Sequence, residues 1–424
     1  MKKLLTLMLA MGLCITAVSC SSDADGNTSA GKQSGEKTEL TCVFPSFASQ
    51  EEEFKDALKE FDKEDLGITI TPTYVTASAW NDFFTKIQTM AASGKAPDLM
   101  RITNEGAQMV ADMGLALPLE DYMANEDPEM LNDIDANLMQ AYDVDDHQYA
   151  YAYEWNNCIV YLNTALMEEA GLEFPEADWT QDQFLEYAKA MTTEKNGQKI
   201  YGCVVPDSYF IFSGWLFNND TSVLNEDMTK SNLLDPKVKE VVQFFYDCIY
   251  KYEVAPVPET GMDYFVLMAN NQIGMGYAGR WSVQTFENSG FTDYNIQKLP
   301  KIQKQVTIYG GGAFVVSKTT KHPDEAYKAA TWFNTSDYSQ VELLGASAIP
   351  SRRSIMEEVL ANDIPENNKL FMDTENAKPV EAPPQYSEIS LIVEKYIKAI
   401  FTNEMGIDDG LAAADQEVNA ALSR

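Results

Sequence analysis

Histidine is almost absent: His147 and His322 are the only two in 424 residues. Catalysis built on an imidazole base therefore has little material. The six cysteines include no Cys-x-x-Cys pair and no Cys/His cluster, which leaves a zinc site without support. Basic residues are few: 31 Lys and Arg stand against 65 Asp and Glu, a net charge of −34. A field of that sign argues against nucleic acid and against polyanionic ligands, and equally fits the solubility of an exported protein. Gly274, Gly276 and Gly279 match no phosphate loop, because no helix start with Lys-Ser/Thr follows them. The acidic turn Asp143–Asp146 lacks the glycine and terminal glutamate of an EF-hand loop. The apolar run Leu4–Val18 is too short to span a bilayer comfortably. No metal and no cofactor is expected.

What is present is core material: 45% of residues are hydrophobic and 11% aromatic, enough for two domains of ordinary size. The N-terminus reads as export machinery. Lys2 and Lys3 precede the apolar run, which closes on Ala17-Val18-Ser19-Cys20. That closure resembles a bacterial lipobox, with Ala17 where leucine is usual. Residues 1–19 are then a lipoprotein signal peptide, and Cys20 carries the acyl chains of a membrane anchor. Residues 20–38, without a large apolar side chain, read as a flexible tether. Removing Lys2 and Lys3 leaves 29 basic and 65 acidic residues, a mature net charge of −36. Four cysteines remain for the body, Cys42, Cys158, Cys203 and Cys248. Spacing does not choose between buried thiols and any of three disulfide pairings.

From Glu39 onward the pattern alternates. Glu39–Phe47 and Ile68–Val75 read as strands, Glu51–Asp65 and Trp80–Ser93 as amphipathic helices, and Pro97–Ile102 as a third strand. This is a βαβ series on a parallel sheet. Ser46, Asn104 and Glu105 fall at carboxyl ends of its strands, where open α/β sheets bind ligands. An amide and a carboxylate there suit ligand hydroxyls; Asn104 equally suits a helix cap. The stretch Gln148–Asn163 reads as two strand-like pieces joined by Glu154-Trp155-Asn156-Asn157, a crossover between domains or a strand with a bulge. Trp179–Met191 reads as a helix capped by Thr180, and Asp235–Tyr252 as a helix opened by Asp-Pro. Trp281 lies at a strand's end, where an indole stacks on the apolar face of a pyranose or packs in the core. Gly310–Gly312 offers exposed backbone and a place for the chain to recross.

Several segments together resemble the extracellular solute-binding proteins of ABC importers, sugar-binding branch, the maltose-binding-protein-like family 1. They include Ala92–Asp98, Leu115–Leu119 (LALPL), Val160–Gly171, Gly274–Trp281 (GMGYAGRW), Gly310–Ser317 (GGGAFVVS) and Ile349–Arg352 (IPSR). The resemblance implies an α/β two-lobed clamshell of the type II periplasmic-binding-protein fold, each lobe a mostly parallel sheet flanked by helices. Lobe 1 is expected over 39–153 plus 305–345, and lobe 2 over 154–304 plus 346–424. By position, Ser46, Glu105, Asn156, Trp281 and Tyr386 match family sites that contact sugar, with Asn104, Trp155, Arg280, Gly311 and Arg352 as added neighbours.

The function so implied is not enzymatic. It is a lipid-anchored, monomeric substrate-binding component on the extracellular face of the cell membrane. It captures a carbohydrate, an oligosaccharide by preference, and delivers it to ABC permease subunits. Two alternatives stand beside it: a secreted glycoside hydrolase using paired carboxylates such as Glu105 and Glu154, and a binding protein for a non-sugar polar solute.

Overall fold

The computed structural model describes residues 37–46, 50–77, 79–361, 365–373 and 376–424. The expected signal peptide, the Cys20 anchor and the tether as far as Glu36 lie outside the described residues. The tether's expected end at residue 38 is corrected: Thr38 already begins the first strand, and its N–H donates to Gly67 O.

Two sheets organise the segment Lys37–Arg424. In the first, Thr38–Ser46 lies between Ile68–Thr76 and Leu99–Thr103, both parallel to it. The long strand Thr307–Val316 runs antiparallel between Leu99–Thr103 and Glu154–Asn157. Ile349–Pro350 closes that edge, and Ala377–Pro379 pairs with the start of the long strand. In the second sheet Ile159–Asn163 is central, with Met275–Ala278 and Tyr294–Gln297 antiparallel on either side. The parallel βαβ opening is as expected. The expectation of a mostly parallel sheet in each lobe is not met, because the second sheet pairs antiparallel and the first is mixed. A parallel first sheet could be read from alternating strand and helix periods. Strand direction after a crossover leaves no mark in the periodicity.

The polar segment Glu154–Asn157 is itself a strand of the first sheet rather than a joint between strands. The joint is one residue, Cys158. Its N–H donates to Ile308 O at 2.9 Å, and its carbonyl accepts from the Thr307 hydroxyl. Gly310–Gly312 explains why a strand with three polar side chains is tolerated here. A Cβ on Gly311 would sit 2.6 Å from Glu154 O, and one on Gly312 would sit 2.5 Å from Glu154 Oε1. The glycines give the Glu154 side chain its space. Glu154–Asn157 and Ile349–Pro350, assigned to lobe 2 from sequence, therefore pair within the first sheet.

Local chemistry sets the helices. Thr180 and Gln183 form a reciprocal capping box, Asp235 accepts from Lys237 N–H ahead of Pro236, and Gly94 takes φ +69° just past a helix end. Phe54, Ala57 and Phe61 bury one helix face against the first sheet, with Phe44 and Phe54 ring centroids 4.5 Å apart. The aromatic run at residue 209 is a helix, Tyr209–Asn218, buried almost all round. It packs Gly214 beside Ile308 of the long strand. Cys42, Cys158, Cys203 and Cys248 are buried free thiols. The Asp143–Asp146 segment is a two-residue hairpin turn with Asp145 and Asp146 at positive φ. No described group of His, Cys, Asp and Glu is placed to hold a metal ion.

Candidate ligand-binding cleft

A cavity of about 450 Å³ lies between side chains of the first sheet and side chains carried by helices. From the first sheet come Arg101 and Thr103 at the carboxyl end of Leu99–Thr103, and Glu105 in the first turn of the next helix. Glu154 and Asn156 project from the crossing strand, facing Gly310 and Gly311. Trp80 opens the helix Trp80–Ala92 at the same rim. The opposite wall is aromatic. Phe210 and Trp281 begin their helices and meet edge to face, ring centroids 6.0 Å apart. Tyr386, Ser390 and Glu394 line the cavity at i, i+4 and i+8 of one helix.

The cavity's charges are unequally matched. Arg101 is ion-paired with Glu154, the two side chains 6% and 11% exposed. Its guanidinium lies 5.2 Å from the Phe54 ring centroid, 5.3 Å from Trp80 and 5.7 Å from Tyr153. Glu105 has no such cation. Burial pushes its carboxyl up to about 7; the Thr103 hydroxyl and its own N–H favour the charged form, and the Glu154 charge adds to the rise. Its Oε2 is buried without a hydrogen-bond partner among the described residues. Burial also raises Glu394, which accepts from Tyr209 N–H at 2.9 Å.

The structure brings Glu105, Asn156, Trp281, Gly311 and Tyr386 to one cavity. Trp281 is 41% exposed, so its indole is a surface rather than core residue. The other five expected contacts, Ser46, Asn104, Trp155, Arg280 and Arg352, are not among the residues that line this cavity. Trp155 is fully buried, because strand alternation turns it away from the side that Glu154 and Asn156 face. Arg280 is buried, and its guanidinium donates to the carbonyls of Gly345 and Ala348. Its N–H donates to Asn156 Oδ1 at 2.8 Å. Arg352 pairs with Asp133 at 2.9 Å and Asp337 at 2.5 Å. Asn104 does not cap its own helix with its side chain, which accepts from Gly311 N–H at 2.8 Å. Ser46 ends the first strand and does not line the cavity.

Sequence reasoning missed Trp80, Arg101, Tyr209, Phe210, Ser390 and Glu394. A signal existed for three of them. Arg101 is a lone charge in an otherwise apolar strand, and Ser390 and Glu394 continue the helical stripe of Tyr386.

Two sheets linked at Cys158 and crossed again between Gln297 and Thr307, with a cavity walled by first-sheet strands and by helices, define a two-lobed fold of the kind that binds small molecules. The chain belongs to the bacterial extracellular solute-binding protein family, whose model matches residues 56–372. That family binds solutes and is not enzymatic, which sets the hydrolase alternative aside. Among curated relatives is an arabinooligosaccharide-binding protein of Halalkalibacterium halodurans, 26% identical over 308 residues, covering 68% of this chain and 65% of that one. Among solved structures is an ABC substrate-binding protein from Listeria monocytogenes in complex with cycloalternan. It has a TM-score of 0.81 at 23% identity, covering 91% of this chain and 99% of that one. A solute-binding protein from Thermotoga lettingae bound with α-D-tagatose gives a TM-score of 0.78 at 23% identity, covering 91% and 100%. The fold is thereby the two-lobed α/β clamshell. No described helix is long and apolar enough to cross a membrane.

Proposed function

We propose that this chain is the substrate-capturing component of an ABC importer and that its ligand is a carbohydrate, an oligosaccharide by preference. The observation that carries the reading is the mixed lining. The aromatic rings of Trp281, Phe210 and Trp80 share one cavity with the polar groups Glu105, Asn156 and Glu154. A saccharide has the same division, with apolar C–H faces and a rim of hydroxyls. Lobe closure traps the ligand because contacts to both walls exist together only in the closed form. The pivot of that closure is Cys158 with the Thr307–Tyr309 end of the long strand. The chain works as a monomer held at the membrane by acyl chains on Cys20, with residues 21–36 as its leash.

The test is a thermal-shift screen against saccharides, followed by calorimetry on the best. A rise in melting point with an oligosaccharide, lost in Trp281→Ala, supports the reading. Rises confined to peptides or polyamines refute the sugar assignment while leaving solute capture intact. Mass spectrometry of the membrane-extracted protein tests the anchor; an N-terminus other than acylated Cys20 rules it out.

A further inference from the structure

The cavity is lined by three glutamates, Glu105, Glu154 and Glu394, and one basic group. That one, Arg101, pairs through one guanidinium nitrogen with Glu154 and is enclosed by the rings of Phe54, Trp80 and Tyr153, its Nε buried without a hydrogen-bond partner among the described residues. Among the described lining residues no second cation exists. Helix N-termini at the rim would ordinarily draw an anion. Two of them are occupied from within. Tyr209 N–H donates to Glu394, and Glu105 sits in the first turn of Asn104–Asp112. Glu105 Oε2, buried and without a partner among the described residues, is open to a donor from a ligand.

We propose that Glu105 makes this site a filter for the sign of the ligand. It admits saccharides that are neutral or carry an amine, and refuses those that carry a carboxylate or a phosphate. A hydroxyl or ammonium hydrogen completes the Glu105 carboxyl. An acidic sugar brings a second anion to a wall with no free cation, where low polarity magnifies the repulsion. The inference rests on the carbohydrate reading above and sharpens it to a charge class. The carboxyl's rise to about 7 adds a condition: an acidic sugar gains entry only as Glu105 takes up a proton. The groups whose charge Glu105 feels, or which feel it, are Glu154, Tyr142, Tyr309 and Tyr386. Burial holds all three phenols above their usual range, so they stay neutral between pH 5.5 and 8.

The experiment uses matched trisaccharides on gluco, galacto and manno cores, each neutral, amine-bearing or uronate, with the purified chain at pH 8. The expected result is binding by neutral or amine-bearing members of at least one core, with its uronate weaker by at least a hundredfold. Glu105→Gln is expected to narrow the gap between the amine and uronate forms at least tenfold. Lowering pH from 8 to 5.5 is expected to strengthen uronate binding to the wild type. A uronate that binds at pH 8 as tightly as its neutral counterpart overturns the filter. A gap unchanged in a folded Glu105→Gln overturns the role of Glu105. If that variant does not fold, a flat pH response of the wild type does the same. A panel in which no saccharide of any charge binds removes the carbohydrate reading first, and this inference with it.

Discussion

Replacing Glu105 with glutamine should open a stability difference that grows as pH is raised. Burial moves this carboxyl from 4.5 to about 7 in the folded chain. A raised pKa means the folded state holds the proton more tightly than the unfolded state. Stability from the neutral carboxyl is therefore complete below pH 4.5 and drains away as pH rises through 7. The displacement corresponds to roughly 3 kcal/mol between those limits. Glutamine has the shape of the protonated acid and does not titrate. Wild type and Glu105→Gln should match within about 1 kcal/mol at pH 4.5. At pH 8 the variant should lead by roughly 3 kcal/mol, on the order of 4 °C in melting point for a body of this size. Glu381, also pushed up to about 7 by burial, gives both proteins the same background slope, which cancels in the difference. Urea unfolding of both proteins at pH 4.5, 6 and 8, without ligand, measures it. Curves that stay parallel across this range would refute the reasoning, because they would mean that Glu105 is solvated or already matched by a cation.

Trp281→Ala should weaken saccharide binding by about 2 kcal/mol, roughly thirtyfold, with circular dichroism and melting point little changed, since the indole is partly exposed. Gly279→Ala should weaken binding without touching the ligand: its Cβ would meet the Trp281 ring at 2.2 Å and Asn156 Cβ at 2.8 Å, so the indole must move, which calorimetry would read. Arg101→Met should cost about 3–5 kcal/mol in denaturant unfolding at pH 7, because it strands Glu154 as a buried charge. Gly202→Ala, whose Cβ would lie 1.8 Å from Ala188 O, should destabilise by roughly 4 kcal/mol or more.

The sequence was informative where function and local pattern coincide. The βαβ opening placed Glu105 at a strand's carboxyl end, and the structure puts it on the cavity wall. Thr180, Asp235 and Gly94 announced their helix boundaries through side-chain chemistry alone. Trp155 could have been excluded on the same terms. If Asn156 faces the cavity, a period of two sends Trp155 the other way. Arg280 and Arg352 were beyond reach. Their partners Gly345, Ala348, Asp133 and Asp337 are distant in sequence or were unassigned, and a guanidinium serves a ligand or a carbonyl equally well. The antiparallel second sheet was hidden for the reason that its strand lengths and apolar runs do not encode heading.

The one-residue link at Cys158 has a geometric consequence for capture. Glu154 and Asn156 sit within a few residues of it, and Trp281 is tied to the same place, because the N–H of its neighbour Arg280 donates to Asn156 Oδ1. Displacement under rotation grows with the lever arm, so groups anchored beside a pivot keep their mutual spacing while more distant ones sweep. An indole and an amide fastened together there form a ready-made corner whatever the rest of the molecule does.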